Sequence, residues 1–526
     1  MPPKFSNKLN DLTNREWLIE TKSFWRSRVD GSARKDTDDP DGSGTHAIPA
    51  ACRVVFADRF TLVGALPVGL KALLRDQPDE LQTNVGFVCL ARGDGRFALA
   101  LDPENADKAR ARAREALGAD LEALLRRRRE FIESLHADGL PAPADERTYR
   151  KAASVLKVNA MAPEGSIERR WTTPDRWPHR HMWLWDSCFH ALGWLHLDAG
   201  MAQDAVAAMV EAAYPDGMIP LCSAPTPTPY RVSQPPLLAW TAWEVGQATG
   251  DADFPARLYE GLAGYVEWFF RERDRNHNGL LEWWKDEDNT LCHCGESGLD
   301  NSPRFDQPGL DDHVDLSCMI VNELDHLARI APRLKREDEA AQWQRRSREL
   351  AALINERMWD EETGFYYDLR ADGELLKLRT CVGFLPMWAG IASPERCARL
   401  VEHLRDPCEF GTAFPVPTVA ADEPSFSDDM WRGPTWINLN YLIWRGLQRG
   451  GFADDARALR EVTLREIQRW YEHTGAIHEF YDCLGKTEPG LLHRKGGVGK
   501  RGGYGMGTIG DYGWSAALYV ALAREA

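Results

Sequence analysis

Between Arg147 and Ala526, apolar positions recur at helical spacing in long amphipathic runs, broken by loops rich in Trp, Gly, Pro and Asp. The spacing predicts helices over Ala202–Ala213, Pro255–Arg273, Leu316–Ile330, Glu337–Met358, Pro394–Leu404, Trp436–Arg449 and Ala453–Glu472. At roughly 30 residues per helix and loop, this stretch holds about twelve helices, enough for six hairpins closed into an (α/α)6 toroid. An open helical array would show a fixed sequence period, and the chain has none. Upstream the pattern differs. Short alternating runs at Cys52–Phe56, Asn84–Cys89 and Arg96–Leu101, separated by turn residues, predict a small β-rich domain behind a polar leader. The Ala/Arg/Glu/Leu run from Asp107 to His136 predicts linker helices. The expected fold is therefore mainly α, with a β-rich domain over 1–105, a helical linker over 106–146 and the toroid over 147–526.

Composition narrows the partners. The net charge of -16 repels nucleic acid and anionic membrane surfaces. No window approaches the roughly 18 apolar residues of a membrane helix. Eleven Cys, without paired CxxC motifs, fit a reducing cytoplasmic compartment. Twenty Trp is a high count, and Trp offers flat faces that suit sugar rings as well as cores.

Between the helices lie clusters that combine carboxylate, Arg and aromatic residues. These are Trp183-Leu-Trp185-Asp186, Glu296-Ser-Gly-Leu-Asp300-Asn-Ser-Pro-Arg304, Trp431-Arg432-Gly-Pro-Thr-Trp436 and Glu479-Phe-Tyr481-Asp482. Cleaving a glycosidic bond needs one carboxylic acid for the leaving oxygen, a second carboxylate, and apolar planes that hold the ring. The loops supply all three.

With Tyr512-Gly-Trp514-Ser515, these motifs resemble glycoside hydrolase family 63, which includes processing α-glucosidase I, bacterial α-glucosidases, and mannosylglycerate and glucosylglycerate hydrolases. The resemblance covers about Arg147 to Ala526. It implies an inverting exo-acting α-glycosidase with Asp300 as general acid and Glu479 as general base, their carboxyl groups about 6.5–9.5 Å apart. It also implies a small carbohydrate substrate whose terminal α-glucosyl or α-mannosyl unit is removed. Substrate contacts are expected from Trp183, Trp185, Asp186, Gln234, Glu296, Arg304, Trp431, Arg432, Trp436, Tyr481 and Trp514. For Arg432, a structural ion pair is the alternative to a grip on substrate. A sugar-binding protein, or a lyase or isomerase on the same fold, is the competing functional class.

The chemistry requires no cofactor. Asp274, Asn276, Asn278 and Glu282 resemble the front of an EF-hand loop, although Lys285 stands where its final Glu belongs. The segment reads either as a structural Ca2+ site or as an Asx-rich turn. The Gly-rich and basic segment from Leu484 to Gly513 reads either as a flexible lid beside Glu479, with Lys495, Lys500 or Arg501 meeting an anionic aglycone, or as a plain surface loop.

Overall fold

The structure is a computed structural model that describes residues 53–525, apart from 59–60, 66–78, 84–85, 94, 103, 136–138, 177, 227, 287, 290 and 497–506. The polar leader and Lys500 and Arg501 therefore lie outside the described residues. Two units divide between His136 and Ala137.

The first unit is built on an antiparallel sheet of β1 (Arg53–Asp58), β2 (Thr61–Ala65), β3 (Glu80–Thr83), β4 (Gly86–Arg92) and β5 (Arg96–Asp102), ordered β1-β2-β5-β4-β3. Helix α1 (Ala106–Gly118) packs on β4, β5 and β2, and α2 (Leu121–Glu133) on β1. Asp120 separates the two helices, its side chain accepting the Ala123 N–H at 3.0 Å as an N-cap. The expected linker over 106–146 is thus divided. Ala109 and Ala113 are buried with Cys89 and Ala100 of the sheet, so α1 completes the first unit's core instead of bridging units.

The second unit alternates two kinds of helix. Amphipathic ones are α3 (Glu146–Asn159), α5 (Ala199–Glu211), α8 (Tyr259–Glu272), α10 (Glu337–Arg357), α12 (Pro394–Arg405) and α14 (Ala453–Thr474). Between them come α4 (Leu184–Trp194), α6 (Leu238–Thr249), α9 (Val314–Ile330), α11 (Leu385–Ala389), α13 (Ile437–Arg449) and α15 (Gly513–Arg524); a short α7 (Phe254–Arg257) precedes α8. All 11 residues of α4 are buried, against five of 21 in α10, so the second set is internal and the first external. The internal helices contact one another in order, α4 to α6, α9, α11, α13 and α15, and α15 returns to α4. Among the described residues, no helix is long and apolar enough to cross a membrane.

Internal helices start inside the protein, where their first N–H groups have no intrahelical acceptor and no water. Distant side chains accept them. Glu323 in α9 accepts from Ala239 N (2.8 Å) and Trp240 N (3.0 Å) of α6. Gln234 accepts from Trp185 N (3.3 Å) at the head of α4, and Asp368 from Val314 N (3.0 Å) at the head of α9. Burial raises the Glu323 carboxyl to about 7, held back by the backbone N–H groups it receives.

Replacing Glu323 by Ala strands two buried donors and opens a cavity. We expect a loss of about 2–4 kcal/mol in denaturant unfolding. A loss below about 1 kcal/mol would show that water satisfies these groups.

Candidate active site

Glu479 lies in the connection from α14 to α15 and is 2% exposed. Its backbone is pinned on both sides: its N–H donates to Ile509 O (2.9 Å), and its carbonyl accepts from Trp514 Nε1 (3.4 Å) and Ser515 Oγ (3.3 Å) at the head of α15. One carboxylate oxygen accepts from Arg494 Nη2 (3.2 Å) and the other from Ile509 N (3.3 Å). Burial raises its pKa above the ordinary carboxyl range, while the positive charge of Arg494 and the His179 ring pull it down and Asp175 pushes it up. His179 has Nδ1 on Asp175 at 2.7 Å and faces Arg494 Nη2 through Nε2 at 3.4 Å, so Nδ1–H donates to Asp175 and Nε2 accepts. Sequence reasoning missed Asp175 and His179; their only signal was the His179-Arg-His-Met run just before Trp183.

Asp300 ends the Ser-Gly-Leu-Asp turn, and its side chain is 19% exposed. It forms an ion pair with Lys495, whose own side chain is buried. Burial depresses the Lys495 ammonium most, and the Asp300 charge, Cys292 and the hydrogen bond to Asp300 together bring its net displacement upward. The two carboxylates are thus held by consecutive residues, Arg494 on Glu479 and Lys495 on Asp300. The turn itself is fixed from several directions. Gly298 has φ +71°, and a Cβ there would approach Trp185 to 2.4 Å, so only glycine fits this motif position. Asn301 Oδ1 accepts from Trp431 N (3.1 Å), which ties the Asp300 turn to the Trp431 loop.

Several expected substrate contacts are committed to the protein instead. Glu296 is 0% exposed; it takes a two-point grip from Arg273 (2.6 and 2.7 Å) and accepts from Ser233 N and Trp284 N. Arg304 is buried and spends four N–H bonds on Asp315 and Asp368, all at 2.7–2.8 Å. Arg432 takes the ion-pair alternative, with two bonds to Asp306 and one to the Asn301 carbonyl. Tyr481 is fully buried, its hydroxyl accepting from His478 N.

The tryptophans stack on one another. Trp431 lies flat on Trp436, with centroids 3.5 Å apart, and Trp185 and Trp514 complete an aromatic cluster against them. Trp185, Trp436 and Trp514 are therefore wall and core, not open faces. Trp185, Asp186 and Trp514 sit in the first turns of α4 and α15, where a loop was expected for the first two. Three polar groups here lack a hydrogen-bond partner among the described residues: Trp183 Nε1, Asp186 Oδ1 and Trp431 Nε1. Asp186 is 2% exposed, and burial, then the charges of Asp175 and Glu479, push its carboxyl well above the usual range. Two stranded donors and one stranded acceptor are the complement a hydroxylated ligand would satisfy.

The Asp274 loop does not fit the calcium cage its sequence allowed. Asp274 Oδ1 accepts the N–H groups of Asn278 and Gly279, and Glu282 accepts those of Arg275 and Asn276. Asn276 and Asn278 donate their amides to Asp312, and their oxygens take the N–H groups of Asn278 and Leu280. The loop's oxygens serve its own turn. Among the described residues, no group of three or more His, Cys, Asp or Glu could hold a metal.

Residues 179–487 match the family described as the mannosylglycerate hydrolase MGH1-like glycoside hydrolase domain. The mannosylglycerate hydrolase of Thermus thermophilus is 27% identical over 456 residues, covering 71% of this chain and 100% of that enzyme. Mannosylglycerate hydrolase MGH1 of Selaginella moellendorffii is 23% identical over 460 residues, covering 72% of this chain and 86% of its own. The crystal structure of a family 63 mannosylglycerate hydrolase from Thermus thermophilus, in complex with Tris and D-glycerate, matches with a TM-score of 0.57 at 24% identity, over 72% of this chain and 100% of that one. The chain therefore belongs to the MGH1-like glycoside hydrolases of glycoside hydrolase family 63.

Proposed function

We propose that the chain is an inverting, exo-acting α-glycosidase that removes a terminal α-glucosyl or α-mannosyl unit from a small anionic glycoside of the glycosylglycerate kind. We take its ring of internal helices as an (α/α)6 toroid, on the strength of contacts that run through six helices and return to the first. The observation that carries the functional reading is the pair Asp300 and Glu479, each held by its own cation from one dipeptide. In this scheme Asp300 protonates the glycosidic oxygen while Glu479 takes a proton from the water that attacks the anomeric carbon. Asp186, Trp183 and Trp431 meet the sugar hydroxyls with their stranded polar atoms.

Lys495 has a second task here. While it is paired to Asp300, it occupies the carboxylate that must reach the leaving oxygen. A carboxylate on the aglycone competes for the ammonium and draws Lys495 off; Asp300, 19% exposed, then takes a proton from solvent and delivers it to the leaving oxygen. The relatives named for mannosylglycerate hydrolysis, and the neighbour crystallised with D-glycerate, support an aglycone of this type.

The primary test uses wild type, Asp300→Asn and Glu479→Gln with mannosylglycerate, glucosylglycerate and short α-glucans, following product anomers by proton NMR. The β-anomer is expected from wild type, with activity lost at least about a thousandfold in both variants. Release of the α-anomer would overturn inversion, and full activity in either variant would overturn the assignment.

Glu479 works only when ionised, so activity rises with pH through its raised pKa. Removing the cation that lowers that pKa, in Arg494→Gln, moves the acid limb of kcat/KM upward by about one pH unit. A limb that stays in place would show that Arg494 does not act on Glu479. Lys495→Met is expected to raise KM about tenfold for glycosylglycerates, as loss of one charge-assisted contact predicts, and to hydrolyse neutral α-glucosides at least as fast as wild type, since no ammonium then occupies Asp300. Equal losses on both substrate types would remove its role in recognising the anion.

A further inference from the structure

The N-terminal ends of the internal helices carry the site described above; the other end of the same ring holds a second concavity. A cavity of about 440 Å³ is lined by α6, α9, α11 and α13. Helices α6 and α13 are not neighbours in the ring, yet Arg445 of α13 bonds Glu244 of α6 at 3.0 Å and lies 6.0 Å from the Trp240 ring. The cavity therefore lies where the helices face each other across the ring. Trp240 and Trp388, packed edge to face, floor it together with Asn322 and His326, all of them buried. Arg329, Gln448 and Arg449 are exposed and form its rim.

We propose that this cavity binds a small oxyanion that carries a hydroxyl, such as hydrogen phosphate or a hydroxycarboxylate. Three observations carry it. Asn322 is 2% exposed, yet its Nδ2 has no partner among the described residues. A buried amide donor of this kind costs stability unless a ligand or water meets it. Next, no described carboxylate lies within ion-pair distance of Arg329 or Arg449; Arg449 gives one bond to Trp388 O at 3.2 Å. Burial lowers the Arg449 pKa; Asp325 pulls it back up and Arg329 pushes it down, and the net displacement stays downward. Finally, His326 Nδ1 bonds Asn322 O at 2.7 Å, so its Nδ1–H donates and Nε2 accepts a hydroxyl. Burial keeps this ring neutral, with a pKa of about 3, and the charges acting most strongly on it are those of Arg329, Arg449 and Arg445. Arginine at helix C-termini also offsets the helix dipole. That explains the guanidinium on Trp388 O but neither the stranded Asn322 donor nor the cavity.

Equilibrium dialysis of the full chain against labelled inorganic phosphate at low ionic strength tests this, with glycolate as competitor to separate phosphate from carboxylate as the source of the oxyanion. One equivalent is expected to bind. The Arg329→Gln/Arg449→Gln double variant is expected to weaken it at least about tenfold, and Asn322→Leu, which keeps both arginines, several-fold. Arg494→Gln, at the other end of the ring, is expected to bind as wild type does. No binding of either anion up to about 10 mM would overturn the proposal. So would binding that survives the double variant or is lost in Arg494→Gln, since both place the anion elsewhere.

Discussion

The second unit depends on a constraint that internal helices impose: their first N–H groups open into the protein, where each unpaired donor costs about 1–3 kcal/mol. None of α4, α6, α9, α13 and α15 carries a side-chain N-cap of its own. The acceptors come from far along the chain, Glu323 for α6, Gln234 for α4 and Asp368 for α9. Buried carboxylates then need cations, and Arg304 supplies one by bridging Asp315 and Asp368. The long loops over the helix heads are thereby fixed by charge pairs that cannot be broken singly without leaving a buried ion, at a cost of about 3–5 kcal/mol.

Those pairs explain why several residues of these motifs spend their polar atoms on the protein itself. Glu296 gathers Ser233, Trp284 and Arg273, which lie 63, 12 and 23 residues away in sequence, onto one side chain. Arg432 and Asn301 then join the Asp300 turn to the Trp431 loop. A motif that recurs as a unit includes the residues that position the chemistry as well as those that perform it. Only the contact partners separate the two kinds.

This also sets how much was legible in the sequence. Helices with one apolar stripe and one wet face were readable, as for Glu337–Arg357 and Ala453–Thr474, whose ends fall within a few residues of expectation; the external α3 was not among those expected, whereas the internal α9 and α13 were. Helices α4 and α15 carry no such stripe; with 11 of 12 residues buried in α15, periodicity has nothing to contrast. Asp300 and Glu479 were singled out by their motifs alone. Asp175 and His179 were missed because an isolated Asp and His carry no signal until the fold sets them beside Arg494. In the Asp274 loop, oxygen spacing does not disclose that those oxygens already accept the loop's own N–H groups.

At the head of the ring several influences compete over one carboxylate. Arg494 favours the ionised Glu479, as does the N–H of Ile509. Burial opposes them and prevails, since the net displacement is upward. A carboxylate raised in this way is a stronger proton acceptor than an exposed Glu, while Arg494 still favours its ionised form. Asp186 has no comparable cation, and burial plus two neighbouring carboxylates drive it much further in the same direction. One buried acidic cluster thus separates into a group suited to accept a proton and a group suited to hold one, and what separates them is that Arg494 stands beside Glu479 while, among the described residues, no such cation pairs with Asp186.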